Sequence, residues 1–142
     1  MYFGFSHCPD ICPETMEKIM DIIDIHKAEQ KKDSSLPDIQ PVFISIDPDR
    51  DTPEALAYYL EDYPHFLGLT GSMAQVKSVC KNYRIYFTKG PQSDDGDYIV
   101  DHRKVFFIWD GQNFRLKIKI FGQVEIGRSD RKKIHGHSNH PL

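Results

Sequence analysis

Two cysteines, Cys8 and Cys12, lie four residues apart near the start of the chain. They follow an aromatic, strand-like run over residues 1–5 and precede a segment with helical periodicity that starts behind Pro13. The point where a strand ends and a helix begins is the usual location of ligand sites in open α/β sheets. Side chains four residues apart on a helix share one face, so the two thiols can form a disulfide or hold one ion between them.

Three interpretations of this cysteine pair are open. The first is a pair of structural thiols. The second is a dithiol oxidoreductase, although such proteins usually have two residues between the cysteines and this chain has three. The third is a soft-metal site, in which two thiolates favour Cu(I) and an added nitrogen ligand admits Cu(II). Because a helix N-terminus stabilises a thiolate, we expect the cysteine pKa to be lowered.

The metal interpretation requires a further ligand from another part of the chain, and our candidate is His102. It follows an apolar, strand-like run over residues 98–100, and a polar step of Asp101 and His102 in such a region is costly unless it has a partner. The other histidines have simpler interpretations: His7 as an exposed residue that can tune the neighbouring thiol, His26 and His65 as surface residues, and His135, His137 and His140 as part of a polar tail.

The remaining cysteine and a group of acidic residues have structural interpretations. Cys80 shares a helical face with apolar neighbours, so we expect it in the core. The carboxylates of Asp47, Asp49 and Asp51 alternate like those of a calcium-binding loop. They lack the glycine and the distal glutamate of such a loop, which predicts a solvated turn.

The composition is that of one globular domain. The chain has 142 residues, of which 39% are hydrophobic and 27% charged, and its net charge is −3. This charge gives no electrostatic basis for binding nucleic acid or an anionic membrane. No apolar run is long enough to span a membrane, and no targeting segment is visible. The odd number of cysteines, three, excludes a scaffold held together by disulfides alone.

The hydrophobic pattern predicts an α/β sandwich and neither a helix bundle nor an all-β fold. Strands are predicted over residues 1–5, 41–46, 85–87, 98–100, 105–109 and 114–120. Helices are predicted behind Pro13, after Thr52, and after Ser72, which forms a capping-box pair with Gln75. The last strand alternates strictly between apolar and polar residues, which favours a position near a sheet edge.

Several blocks of the sequence resemble, in the same order, blocks of the Sco family of cytochrome c oxidase assembly proteins. The block YFGFSHCPDICPE at residues 2–14 resembles the copper-site signature of that family. The block YIVDH at residues 98–102 resembles the one that contains the family's histidine ligand. The other matching blocks are VFISIDPDRDT at residues 42–52, GLTGS at residues 68–72 and YRIYF at residues 83–87.

The resemblance implies a thioredoxin-like fold, a three-layer sandwich with a central mixed sheet, over residues 1–123. It implies that Cys8, Cys12 and His102 hold copper, as Cu(I) or Cu(II). The implied function is that of a metallochaperone, not primarily of an enzyme, which receives copper from a donor chaperone. It would serve the assembly of the binuclear copper centre in cytochrome c oxidase subunit II. The implied location is the mitochondrial inner membrane, on the side facing the intermembrane space.

An alternative role keeps the same two cysteines but removes the metal from the function. In that role, Cys8 and Cys12 form a redox-active pair that reduces the cysteines of subunit II by thiol–disulfide exchange. Both roles use the same sulfur atoms, so the resemblance does not separate them.

The ends of the chain depart from the family pattern. The family's transit peptide, membrane helix and first strands precede the point where this chain starts, so we expect a protein without its membrane anchor. Arg103 follows His102 where the family usually has serine or threonine. Beyond Gly122 the apolar pattern dissolves, which predicts a disordered, histidine-containing tail over residues 124–142 in place of a C-terminal helix. A truncated product without function is therefore a further alternative.

Overall fold

The computed structural model describes residues 1–9, 11–102, 105–109, 114–121 and 123–128. For Ile11, His102 and the strand residues from 105 onward other than Phe107 and Ile108, it describes the backbone path alone. The helices are α1 (Ile11–Gln30), α2 (Pro53–Tyr59) and α3 (Met73–Tyr83), and a 3-10 turn covers Leu60–Asp62. The strands are β1 (Tyr2–Gly4), β2 (Val42–Ser45), β3 (Leu67–Leu69), β4 (Phe87–Lys89), β5 (Val100–His102), β6 (Val105–Trp109), β7 (Phe114–Phe121) and β8 (Gln123–Arg128).

Six of these strands form one mixed sheet in the order β3-β2-β1-β6-β7-β8, and β4 and β5 form a separate antiparallel pair. Strand β1 lies in the middle of the large sheet, parallel to β2 and antiparallel to β6. Strand β3 extends the parallel half, and β7 and β8 extend the antiparallel half. Because β1 and β2 are parallel, both end at the same edge of the sheet, and the loops that follow them are neighbours.

Helices cover both faces of the large sheet. On one face, Phe3 of β1 packs against Tyr83 of α3, with the ring centroids 5.6 Å apart. On the other face, Phe43 of β2 packs against Tyr59 of α2, with the ring centroids 5.7 Å apart. The first turn of α1 lies over Gly4 on this second face. The three-layer α/β sandwich with a central mixed sheet is therefore confirmed.

Side-chain caps fix the start of two helices, as predicted. The hydroxyl of Thr52 accepts a hydrogen bond from the backbone N–H of Ala55 at 3.2 Å, which caps α2. The hydroxyl of Ser72 accepts from the N–H of Gln75 at 3.3 Å, and the Gln75 side chain accepts from the N–H of Ser72 at 2.9 Å. Each such cap contributes about 1 kcal/mol to stability.

Two element boundaries near the cysteines and the histidine differ from the predictions. Helix α1 begins at Ile11 and not behind Pro13, which places Cys12 in its first turn. Strands β4 and β5 each begin two residues later than predicted, at Phe87 and Val100. The N–H of Ile85 instead donates to the carbonyl of Cys80 at 2.8 Å, which belongs to the end of α3.

Two strands lacked a clear sequence signal. Strand β3 has only three residues with Gly68 in the middle, so no apolar run marks it. Strand β8 is the edge strand and pairs with β7, so β7 lies one strand from the edge, near it as predicted. The expectation of no regular element at residues 124–128 is wrong. Val124 and Ile126 do alternate with polar residues there, but the run is short and Gly127 interrupts it. Residues 129–142 lie outside the described residues.

Candidate metal centre

Cys8 and Cys12 lie together at the edge of the sheet where β1 ends. The N–H of Cys8 donates to the carbonyl of Phe5 at 3.2 Å, so the chain turns sharply directly after β1. Cys12 follows in the first turn of α1, and its thiol is hydrogen-bonded with that of Cys8. Both thiols are buried, and their exposed fractions are 8% for Cys8 and 0% for Cys12. Cys8 precedes α1, so the two cysteines do not share a helical face. The turn after β1 brings their sulfur atoms together instead.

Gly4 provides the space into which Cys12 fits. A Cβ atom built on Gly4 would lie 3.0 Å from the sulfur of Cys12, 3.0 Å from the ring of Phe43 and 2.9 Å from the ring of Tyr2. These separations are too short for a side chain to fit without displacing its neighbours. The glycine at the end of β1 therefore allows α1 to lie close enough for its sulfur to touch the sheet.

Burial and the neighbouring thiol control the acidity of Cys12. The hydrogen bond with Cys8 and the loss of water around the sulfur raise the pKa of Cys12 above its ordinary value. Hydrogen bonds from the Tyr2 hydroxyl and the Phe5 backbone act in the opposite direction but are weaker. The prediction of a lowered pKa is therefore wrong for Cys12, because the hydrogen bond with Cys8 and the dry surroundings outweigh the effect of the helix N-terminus.

A buried carboxylate, Asp51, connects the loop before Cys8 to strand β2. It accepts hydrogen bonds from the backbone N–H of Ser6 at 3.1 Å, from the Ser6 hydroxyl, and from the Ser45 hydroxyl at 2.6 Å. The Asp51 carbonyl accepts from the Thr70 hydroxyl at 2.7 Å, which adds a contact beyond β3. Through its side chain and its carbonyl, Asp51 thus connects the segments that follow β1 and β3 to β2, and its side chain fixes the start of the cysteine loop.

A second buried carboxylate, Asp47, tethers the segment that leads to β5. It accepts from the hydroxyl of Tyr98 at 2.6 Å and from Nε of Arg50 at 2.6 Å. The Arg50 guanidinium lies over the Tyr98 ring, 3.7 Å from its centroid, and also donates to Asp97 at 2.5 Å. Because β5 starts two residues after Tyr98, these contacts hold the strand that ends at His102 beside the turn after β2.

The prediction of a solvated turn is therefore wrong for two of its three carboxylates, Asp47 and Asp51. Asp47 and Asp51 are 2% and 0% exposed, whereas the sequence predicted a solvated turn for all three carboxylates. Asp49 is exposed as predicted, with Lys89 at 3.4 Å. The buried pair is tolerated because protein donors replace water at the carboxylate oxygens. The position of Asp47 and Asp51 shortly after a buried strand is the sequence signal that could have indicated their burial.

The structure describes the side chains of three histidines, and the other four lie outside the described side chains. His102 ends β5, where its backbone is paired with Phe87, but its imidazole lies outside the part of the structure with described side chains. Among the described side chains, no three His, Cys, Asp or Glu groups come close enough to hold a metal together. The exposed His7 contacts the Ser6 hydroxyl at 2.9 Å. His26 bonds to the carbonyl of Pro37 and His65 to Asp24, while His135, His137 and His140 lie outside the described residues.

Cys80 lies away from this centre, in the core, as predicted. It is 2% exposed on α3, and burial raises the pKa of its thiol to about 11. A thiol with such a pKa remains protonated and unreactive at neutral pH.

A buried dithiol between a strand and a helix, on a mixed sheet covered by helices on both faces, defines a thioredoxin-like protein. The model of the SCO1/SenC family matches residues 1–125. This chain therefore belongs to the SCO1/SenC family.

Curated relatives agree with this assignment. The chain is 48% identical over 109 residues to the mitochondrial SCO2 homolog of Danio rerio, covering 76% of this chain and 38% of that protein. It is 47% identical over 109 residues to the mitochondrial SCO1 homolog of Homo sapiens, covering 76% of this chain and 35% of that protein. The chain thus spans little more than a third of the length of these relatives. None of the helices in the described ranges combines the length and the apolar character needed to cross a membrane.

Two solved structures of the family share this fold and contain copper. The copper-bound ScoI of Bradyrhizobium japonicum superposes with a TM-score of 0.65 at 36% identity, covering 75% of this chain and 64% of that one. The copper-bound Sco1 of yeast superposes with a TM-score of 0.64 at 38% identity, covering 88% of this chain and 63% of that one.

Proposed function

We propose that this protein is a copper metallochaperone that binds copper through Cys8, Cys12 and His102. The observation that carries the proposal is the pair of buried thiols in contact with each other at the end of β1. Two thiolates that share a dry pocket suit a soft ion, and Cu(I) is the biological ion with the strongest preference for such ligands. Copper-bound structures of related Sco proteins support the same choice of metal.

The residues around the pair suit a protein that takes up and releases its metal. Cys12 is fully buried and held by α1, whereas Cys8 is slightly exposed at the end of a loop. Binding requires both sulfurs to lose their protons, and the loss of water in the pocket then strengthens the attraction between thiolates and the cation. We assign Cys12 as the fixed ligand and Cys8 as the ligand that a donor or acceptor protein can reach.

His102 completes the proposed ligand set. Its strand is tethered by Asp47 and Arg50 to the turn after β2, at the same edge of the sheet as the cysteine loop. A nitrogen ligand added to two thiolates extends the site from Cu(I) to Cu(II), the harder ion. The proposed role of His102 is therefore to keep the site competent in both oxidation states of copper.

The proposed process is assembly of the binuclear copper centre in cytochrome c oxidase subunit II. Copper would arrive from a donor chaperone of the intermembrane space, and the protein would act on that side of the mitochondrial inner membrane. The mitochondrial designation of the curated relatives supports this location. The proposed functional domain covers residues 1–123.

A thiol–disulfide oxidoreductase is a second candidate function, favoured by the same pair of adjacent thiols. In this reaction, Cys8 and Cys12 would become a disulfide while a partner disulfide takes up two electrons and two protons. Turnover of a disulfide substrate in the presence of a copper chelator would favour this candidate.

Titration with Cu(I) tests the proposed function. The fully reduced protein, titrated anaerobically against a chromogenic Cu(I) chelator, is expected to take up one equivalent. The same protein with Cys8 and Cys12 oxidised to a disulfide should take up none, because a disulfide provides no thiolate ligand. Equal uptake by both forms, or no uptake by the reduced form, would contradict the proposal.

A further inference from the structure

Tyr2 places a buried hydroxyl directly against one sulfur of the pair. Its Oη lies 3.4 Å from Sγ of Cys12, in a geometry in which the hydroxyl donates. Tyr2 and Gly4 alternate with Phe3 along β1 and so lie on one face of the sheet, the face over which α1 begins. The absent side chain of Gly4 lets Cys12 descend onto this face, and the next side chain that it meets there is Tyr2.

The Tyr2 hydroxyl is oriented by a second neighbour. Tyr2 is 1% exposed, so its hydroxyl has no access to bulk water and must bond within the protein. The side chain of Thr15, which is also buried in the first turns of α1, hydrogen-bonds with this hydroxyl. With Thr15 as the donor to Tyr2, the proton of Tyr2 is directed at the sulfur. A chain of such bonds polarises each member and strengthens the last one.

We propose that Tyr2 is a positioning residue that sets the redox balance of the Cys8–Cys12 pair by donating a hydrogen bond to the Cys12 sulfur. A thiol or thiolate sulfur accepts this bond, whereas a sulfur engaged in a disulfide is a poorer acceptor. Tyr2 therefore stabilises the reduced pair more than the oxidised one. Under the proposed function, the same bond withdraws electron density from a copper-ligating sulfur, which favours Cu(I) over Cu(II).

The metal-free protein provides a test that does not depend on copper. In glutathione buffers, the protein dithiol and glutathione disulfide exchange to the protein disulfide and two glutathione thiols, which carry the two protons. Tyr2→Phe keeps the ring and removes only the hydroxyl. We expect it to shift this equilibrium about fivefold towards the protein disulfide, the equivalent of one ordinary hydrogen bond. This shift lowers the midpoint potential by about 20 mV for a two-electron couple.

Two matched variants separate this role from packing. Tyr59→Phe removes another buried tyrosine hydroxyl, on a ring that packs against Phe43 and Tyr63, so it should leave the equilibrium unchanged. Thr15→Val removes the group that orients Tyr2, so it should shift the equilibrium in the same direction as Tyr2→Phe but by less. No shift in Tyr2→Phe, or an equal shift in Tyr59→Phe, would overturn the proposal.

The copper-loaded protein gives a second, independent readout, which rests on the proposed function. In Tyr2→Phe the sulfur-to-Cu(II) absorption band should move to longer wavelength, and the Cu(II)/Cu(I) midpoint potential should fall, because the sulfur becomes a better electron donor. An unchanged band and potential in a variant that binds copper normally would count against the role of Tyr2. A wild-type protein that binds no copper would contradict the proposed function alone, since the glutathione equilibrium would still test Tyr2.

Discussion

Serine in place of Cys12 is expected to abolish stoichiometric Cu(I) binding, and serine in place of Cys8 should do the same. A hydroxyl is a hard ligand that keeps its proton at neutral pH, so each change leaves Cu(I) with a single thiolate in the pocket. Competition with a chromogenic chelator at increasing protein concentration measures the loss.

The third cysteine provides the matched control for this prediction. Cys80 is as well buried as Cys12 but lies on α3, which covers the opposite face of the sheet from Cys12. Cys80→Ser should therefore keep one equivalent of Cu(I), at a modest cost in stability from burying a hydroxyl. Retention of full copper binding by Cys12→Ser, or its loss in Cys80→Ser, would show that the metal is held elsewhere.

Asp51→Ala is expected to cause the largest loss of stability among single changes near the centre. The change leaves the N–H and hydroxyl of Ser6 and the hydroxyl of Ser45 without their acceptor, at a position where Asp51 and Ser45 are fully buried. Because hydrogen bonds to a buried charged group are worth roughly 1.5–3 kcal/mol each and are not additive, we expect a loss of about 3 kcal/mol or more. Urea unfolding followed by circular dichroism measures this difference.

Copper binding should weaken in the same variant, because the loop that positions Cys8 loses its connection to β2. Asp49→Ala is the matched control, since this carboxylate lies two residues away but is exposed and, within the described part of the chain, pairs only with Lys89 at 3.4 Å. Its effect on stability should stay within about 0.5 kcal/mol. An Asp51→Ala protein that unfolds at the same urea concentration as Asp49→Ala would contradict the role of Asp51 as a structural connector.

The sequence predicted much of the architecture through local signals. Thr52 and Ser72 mark helix starts because an N-cap acts within a few residues of itself. The strand before Cys8 was found because its apolar run is continuous. The short β3 was missed because its pairing with β2 is decided by the sheet, and its exposed leucines leave no pattern.

The surroundings of the cysteines could be predicted less well than the cysteines themselves. Spacing and resemblance singled out Cys8 and Cys12, but the burial of Asp47 and Asp51 depends on donors that are distant in sequence, such as Tyr98 and Ser6. The raised pKa of Cys12 likewise depends on burial, which a helix-terminus argument does not include. Contacts between distant segments decide these properties, so only the folded arrangement reveals them.

X-ray absorption at the copper edge tests the proposed ligand set most directly. In the Cu(I)-loaded protein we expect two sulfur ligands and one nitrogen ligand. His102→Ala should lose the nitrogen contribution, keep both sulfurs and weaken Cu(II) binding more than Cu(I) binding, because imidazole matters most to the harder ion. His7→Ala, which changes the exposed histidine beside Cys8, should leave the spectrum unaltered. A nitrogen contribution that persists in His102→Ala, or a copper site without two sulfurs, would contradict the assignment of Cys8, Cys12 and His102.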